Sequence, residues 1–202
     1  MTRISKSEIQ PDFSGKTIYE IFRMLDPYTR GHSRRISLMV PLIARHMGIA
    51  APSELRRMRA GALYHDIGKA LIPTDILNKP DPLTEEELST IRKHPELSLR
   101  IIHILPDHEE ISRIILHHHE CWDGSGYPAG LKGLEICLGA RICSVADTFD
   151  AMRTDRPYSR KKPFKLVHAE INRCSGSRYD PAVVEAFNGC ARALDRIARG
   201  NK

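Results

Sequence analysis

Imidazoles and carboxylates stand on the apolar faces of five helical segments in this chain, and that placement limits its fold more than any other feature. His32 lies four residues before Ile36, on a stripe that Met39, Val40, Ile43 and Ala44 continue. His65 and Asp66 lie three and four residues after Ala62. His94 follows Ile91 by three, His118 and His119 follow Ile115 by three and four, and Asp147 follows Cys143 by four. In a helix those spacings share a face. A single histidine on an apolar face is ordinarily a hydrogen-bonded core residue. Five segments each presenting such a group call for another explanation, because a buried carboxylate beside imidazoles is costly unless something pairs with it. Convergent imidazoles and carboxylates are how helical bundles build dinuclear metal sites.

The rest of the pattern is helical. Asp26-Pro27 reads as an N-cap followed by a first-turn proline, and Gly48 as the stop of that helix. A second helix starts near Pro52, with Leu55, Met58 and Ala62 on one face and His65-Asp66 at its end. A Pro/Asp-rich linker, IPTDILNKPDP, follows. Thr84 with Glu87 makes a capping box for the next helix, and Pro95 should kink or end its first part. Ile111, Ile114 and Ile115 mark a helix that runs up to the histidine pair. Another spans about 138–153, and Asp180-Pro181 caps a last one carrying Val184, Phe187 and Leu194. No segment shows sustained strand alternation. The fold class is therefore all-α, a compact helical bundle with a metal centre in its core. The expected divisions are an N-terminal extension or first helix over 1–25, a catalytic domain over 26–195 and a basic tail over 196–202.

Composition narrows the partners. The 202 residues suit one domain, and no apolar run is long enough to span a membrane. The first residues, MTRISKSEIQPDFSGK, lack the apolar core of a signal peptide, so the cytoplasm is the expected compartment. Five cysteines without Cys-x-x-Cys spacing argue against a disulfide framework or a thiolate zinc site. A net charge of +6 favours anionic partners such as phosphate esters or nucleotides. Stable nucleic-acid binding is not expected, since the aromatic platform that single strands need is missing.

Six stretches carry a family resemblance: YTRGHSRR (28–35), LYHDIGKALIP (63–73), ILNKPDPLTEEE (76–87), the isolated His94-Pro95, HHECWDGSGYP (118–128) and ADTFDAMRTDRPYS (146–159). In this order and spacing they resemble the HD-GYP family, a branch of the HD metal-dependent phosphohydrolases. The resemblance implies a phosphodiesterase that hydrolyses cyclic di-GMP to linear pGpG and, in a further step, GMP. It implies seven metal ligands: His32, His65, Asp66, His94, His118, His119 and Asp147. Asp66 matches the family's bridging carboxylate. Seven ligands with one bridging fill eight of about twelve octahedral positions around two ions, leaving the rest to water and phosphate oxygens. The cofactors implied are two divalent ions, iron or manganese by precedent.

Lys69, three residues past Asp66, is expected to stabilise charge on the phosphate. Asp150 and Arg156 are expected on the nucleotide by resemblance, with Asp150 on a base or on Lys69. Gly126 and Tyr127 of the GYP loop are expected beside the substrate. Glu120 and Asp123 are expected to hold the imidazoles or the loop through hydrogen bonds.

The chain also departs from the family. Some members place a glutamate four residues before the first histidine to help bind a third metal. Here that position is Tyr28, a poor ligand because its phenol stays protonated, so two metals are expected rather than three. After Arg-Pro-Tyr the usual basic residue is Ser159, followed by Arg160, Lys161 and Lys162. Only about 25 residues precede the first motif, so regulation is expected from a separate partner protein, or activity is constitutive. A homodimer is open. The C-terminal arginines 192, 196 and 199 read as a solvated helix face. Two rival readings stand beside the enzyme: a silent cyclic-dinucleotide receptor, and an HD phosphohydrolase acting on another nucleotide.

Overall fold

A computed structural model describes residue 13 and residues 15–103, 105, 108–155 and 160–200. Its described residues form ten α-helices and no strand, apart from one isolated bridge between Ser175 and Tyr179. Thr17 and Glu20 form a capping box that starts α1 (Ile18–Met24). Asp26 accepts from the Thr29 amide at 3.0 Å and starts α2 (Pro27–His46), with Pro27 in its first turn. Gly48, at φ +85°, takes the left-handed conformation that ends it.

The second expected helix is α3 (Pro52–Tyr64), which ends one residue before the His-Asp pair. His65 caps it, and 67–71 tightens into a 3-10 helix. The linker contains a single turn, α4 (Thr74–Leu77). The Thr84–Glu87 capping box starts α5 (Glu85–Arg92), and α6 (His94–Ile102) begins two residues later with Pro95 in its first turn. The proline thus divides what a continuous pattern would have joined. Then come α7 (His108–His117), α8 (Leu138–Arg153), α9 (Phe164–Arg173) and α10 (Pro181–Ala198). The sequence pattern had not revealed α9, because only Val167 and Ile171 of it are buried. The boundary drawn at 195 falls inside α10, whose Ala198 is still buried.

The core has two parts. One gathers α2, α3, α8, α9 and α10 around Ile36, Met39, Ile142, Phe149 and Phe187. The other joins Ile21, Phe22 and Leu25 to Ile67, Ile102 and Ile115. Helix α7 serves both, sending Ile114 to the first and Ile111 and Ile115 to the second. The candidate ligands sit along the seam. Ala62 belongs to the first cluster and Ile67 to the second, with His65 and Asp66 between them. All five cysteines are free. No helix among the described residues is long and apolar enough to cross a membrane.

Candidate metal centre

Helix ends position the imidazoles. The last carbonyls of a helix have no partner within it. His65 at the end of α3 places Nδ1 2.8 Å from the Ala62 carbonyl. His94 does the same to Ile91 in the last turn of α5 at 2.8 Å, and His118 to Ile115 in α7 at 2.5 Å. A carbonyl only accepts, so Nδ1 carries the proton in all three rings, and each Nε2 keeps a bare lone pair. One turn of backbone thus satisfies a helix end, fixes a tautomer and aims a ring.

Those lone pairs converge without a proton to share. His94 Nε2 and His118 Nε2 lie 3.3 Å apart. Asp66 Oδ1 is 3.2 Å from His94 Nε2, and its Oδ2 is 3.3 Å from His65 Nε2. His65 Nε2 is buried with no hydrogen-bond partner. Acceptors facing acceptors in a buried site are unfavourable unless a cation sits among them. The donor set therefore fits divalent metal.

His32 approaches from α2. Its Nε2 is 3.0 Å from Asp147 Oδ1 and its Nδ1 is 2.7 Å from Asp150 Oδ2. Three groups have ligand atoms within 4.8 Å of one another: His94, His118 and His119; His32, His65 and Asp147; and His65, Asp66 and His118. All seven sequence-derived candidates belong to at least one of them.

The electrostatics suit metal as well. Burial pulls His94 down to about 3 and His119 to about 4, and drives His118 well below the usual histidine value. Burial opposes ionisation of Asp66 and Asp147. For Asp66, Lys69 and His65 outweigh that burial, and for Asp147, His32 does. Both carboxyls are held well below their ordinary range. In the metal-free protein burial also disfavours charge on His32, but hydrogen bonds to Asp147 and Asp150 hold it up at about 9. His94, His118 and His119 are thus neutral and Asp66 and Asp147 ionised, the protonation states that metal binding requires, and His32 must release a proton before it can ligate.

Lys69 lies in the 3-10 helix, where residues three apart eclipse. Its Nζ is 2.7 Å from Asp66 Oδ2, and it lines a cavity of about 380 Å³ with Tyr28, His32, Asp66, His119 and Asp147. Gly68 beside it is enclosed by α6. An added Cβ would lie 2.2 Å from the His94 carbonyl oxygen, and the Gly68 amide donates to Ser98 Oγ at 2.8 Å. That close crossing brings His94 against Asp66.

One expectation needs correction. Asp150 is not a nucleotide contact: it is fully buried, and both its oxygens are taken by His32 and by Arg35 at 2.7 and 2.8 Å. It orients His32. Gly126 and Tyr127 are not among the residues that line the cavity. A Cβ on Gly126 would lie 2.3 Å from the Cys121 nitrogen, and Tyr127 stacks on His119 with ring centroids 4.8 Å apart. Gly126 thus packs on the backbone of 120–121, and Tyr127 packs on His119. Glu120 and Asp123 hold the loop, one of the two roles expected of them. The Glu120 carboxylate accepts from the Ala129 and Leu131 amides, and Asp123 accepts from Ser125. Arg156 and Ser159 lie outside the described residues. Tyr28 stacks on His32 with centroids 5.9 Å apart, and its hydroxyl is 3.4 Å from Thr154 Oγ1.

Three contributors escaped the sequence pattern: Arg35, Gly68 and Arg178. Arg35 stands three residues past His32, one turn along the same helix, and that spacing could have drawn attention to it. Arg178 lines the cavity from the loop between α9 and α10, more than 50 residues from the other motifs' histidines, and no local signal marks it.

Residues 16–183 match the family model described as HD domain. The chain belongs to the HD-domain family. The chain is 39% identical over 191 residues to a protein of Thermotoga maritima named cyclic di-GMP phosphodiesterase, covering 92% of this chain and 52% of that one. It is 37% identical over 171 residues to the 3'3'-cGAMP-specific phosphodiesterase 3 of Vibrio cholerae, covering 85% of this chain and 36% of that one. The chain thus spans about half or less of the curated relatives it matches. Among solved structures, the fold resembles an HDG"Y"P protein of Bdellovibrio bacteriovorus, Bd1817, with a TM-score of 0.66 at 21% identity over 81% of this chain and 52% of that one. It also resembles the HD domain of the L. monocytogenes phosphodiesterase PgpH in complex with cyclic-di-AMP. The TM-score there is 0.58 at 19% identity, over 90% of this chain and 91% of that one.

Proposed function

We propose that this HD domain is a metal-dependent phosphodiesterase that opens cyclic di-GMP to linear pGpG, with a second cleavage to GMP. The observation that carries the reading is the set of unprotonated Nε2 atoms around Asp66, with Lys69 beside them at the base of a cavity. His32, His65, Asp66, His94, His118, His119 and Asp147 would hold two divalent ions, with the Asp66 carboxylate offered to both. The mixed nitrogen and oxygen donors suit first-row metals, and family precedent favours iron or manganese. Tyr28, with its ring on His32, provides no ligand for a third. Bound ions supply an activated water and neutralise charge during in-line displacement at phosphorus.

The chain's own residues do the rest. Asp150 keeps the His32 Nδ1 proton in place, and Arg35 fixes Asp150. The carbonyls of Ala62, Ile91 and Ile115 do the same for His65, His94 and His118. Lys69 is within reach of a phosphate oxygen placed against Asp66, and its ammonium offsets the charge that develops there. Tyr127 braces His119 by stacking on its ring.

A second reading, cleavage of a mixed cyclic GMP–AMP dinucleotide, is favoured by the name of the Vibrio relative. Incubating manganese- or iron-loaded protein with each cyclic dinucleotide, and separating the products by chromatography, distinguishes the two. Turnover of cyclic di-GMP that disappears in Asp66→Ala supports the proposal. Tight binding without turnover in metal-loaded protein would instead make the domain a receptor.

A further inference from the structure

Arg178 is an exposed arginine held in one place. Its amide donates to the Cys174 carbonyl at 3.0 Å, and its carbonyl accepts from the Trp122 amide at 3.1 Å. The next residue back, Ser177, accepts from the Asp123 amide at 2.8 Å. The loop between α9 and α10 is thereby tied to the loop that follows the histidine pair. The guanidinium lies over the Tyr179 ring, with its central carbon 5.5 Å from the centroid. That ring is itself fixed, since Tyr179 is 2% exposed and its hydroxyl bonds to the Thr148 side chain of α8. An arginine stacked on an anchored ring presents its N–H fork in a preset direction.

Among the described residues no carboxylate pairs with Arg178, although it lines the same cavity as Lys69 and Asp66. The cation therefore has free donors at the mouth of the site. The base of the cavity already has its own phosphate-directed groups, the His/Asp cluster and Lys69. A cyclic dinucleotide with a phosphodiester on that base must carry its purines outward, toward the mouth. There Ala151 and Met152 provide an apolar wall for a ring. Guanine offers two acceptors, O6 and N7, at the spacing of the arginine fork, whereas adenine replaces the first with an amino donor.

Building on the cyclic dinucleotide function proposed above, we infer that Arg178 reads the O6/N7 edge of a guanine and sets the purine preference of the site. It is a substrate-binding residue for the base, distinct from the phosphate contacts of Lys69.

The test compares three substrates in manganese-loaded full-length chain: cyclic di-GMP, cyclic di-AMP and bis(p-nitrophenyl) phosphate, a diester without a base. Arg178→Ala lowers kcat/KM for cyclic di-GMP by about 10- to 100-fold, mainly through KM, the range one bidentate arginine–guanine pair provides. That loss exceeds the loss on the other two substrates by about tenfold or more, so the guanine preference collapses. Arg178→Lys keeps the charge but not the fork and does not restore it. Equal losses on both cyclic dinucleotides would mean a phosphate contact and would overturn the inference. So would a loss of similar size on bis(p-nitrophenyl) phosphate, which indicates a structural role, or no loss at all. If the unaltered protein cleaves bis(p-nitrophenyl) phosphate but no cyclic dinucleotide, the proposed function fails together with this inference.

Discussion

Adding one methyl group at Gly126 tests how the GYP loop works. The Cβ of Gly126→Ala would lie 2.3 Å from the Cys121 nitrogen, 2.4 Å from Glu120 Cα and 2.6 Å from the Glu120 carbonyl carbon. All three are backbone atoms, so no side-chain rotation relieves the contact. The two segments must part by about 1.1 Å to reach the 3.4 Å of ordinary contact. Tyr127 is the next residue, stacked on His119 at 4.8 Å, and Glu120 holds the Ala129 and Leu131 amides. The shift therefore reaches a candidate ligand directly. Overpacking of this kind costs about 1–3 kcal/mol of stability. A displacement of about 1 Å at a reacting centre costs on the order of 100-fold in rate.

The expected result is a kcat about 100-fold lower on cyclic di-GMP, with a melting temperature lowered by several degrees. The assay is steady-state turnover in manganese, paired with thermal denaturation. Gly124→Ala is the control. Gly124 sits at φ +88° with its nearest neighbour 3.5 Å away, so that change strains the turn without wedging the segments apart. It should cost stability of about 1 kcal/mol and leave kcat within a few-fold. If Gly126→Ala retains full turnover and melting temperature, the close approach of the two segments is not what the loop depends on.

Other consequences follow from the same geometry. Asp150→Ala frees His32 Nδ1 and leaves Arg35 without its partner, so metal affinity should fall by about 10- to 100-fold in a manganese titration. Unchanged affinity would show that His32 needs no such support. Lys69→Ala should lower kcat by about 100- to 1,000-fold while the metal content holds, which elemental analysis and kinetics together can check. Acid should destabilise the metal-free protein. His94 and His119 titrate near 3 and 4 when folded but near the ordinary 6.5 when unfolded, and His118 shifts the same way. The unfolded chain therefore binds the extra protons, and stability present above pH 6.5 is lost as pH falls through the window down to about 3. Each imidazole contributes a slope of up to about 1.4 kcal/mol per pH unit. Urea melts of metal-free protein at pH 7, 6 and 5 read this directly, and a flat profile would contradict the burial of these rings.

Much of the site could be read from local spacing. Each candidate ligand announced itself as a polar group on an apolar helical face, and the caps at Asp26, Thr84 and Asp180 each set a helix start in view of the sequence. What local spacing cannot show is which groups meet across the bundle. Asp150 shares a helical face with Asp147, which looked like a second substrate contact. Only the approach of α2 reveals that its oxygens belong to His32 and Arg35. Gly126 reads from the sequence as a loop residue beside the substrate, yet its constraint is the backbone of 120–121 lying against it. Gly68 carries the same kind of requirement through α6, and Arg178 reaches the cavity from a loop whose partners are far away in sequence. Such contacts depend on tertiary packing, which no residue pattern within a helix encodes.

The central claim is that the unprotonated Nε2 atoms and Asp66 form a dinuclear metal centre. Metal analysis of the purified, manganese-loaded chain beside Asp66→Ala tests it most directly. The expected result is two ions per chain, falling to one or none when the carboxylate between them is removed. A chain that binds no metal, or one whose metal content is indifferent to Asp66→Ala, would contradict it.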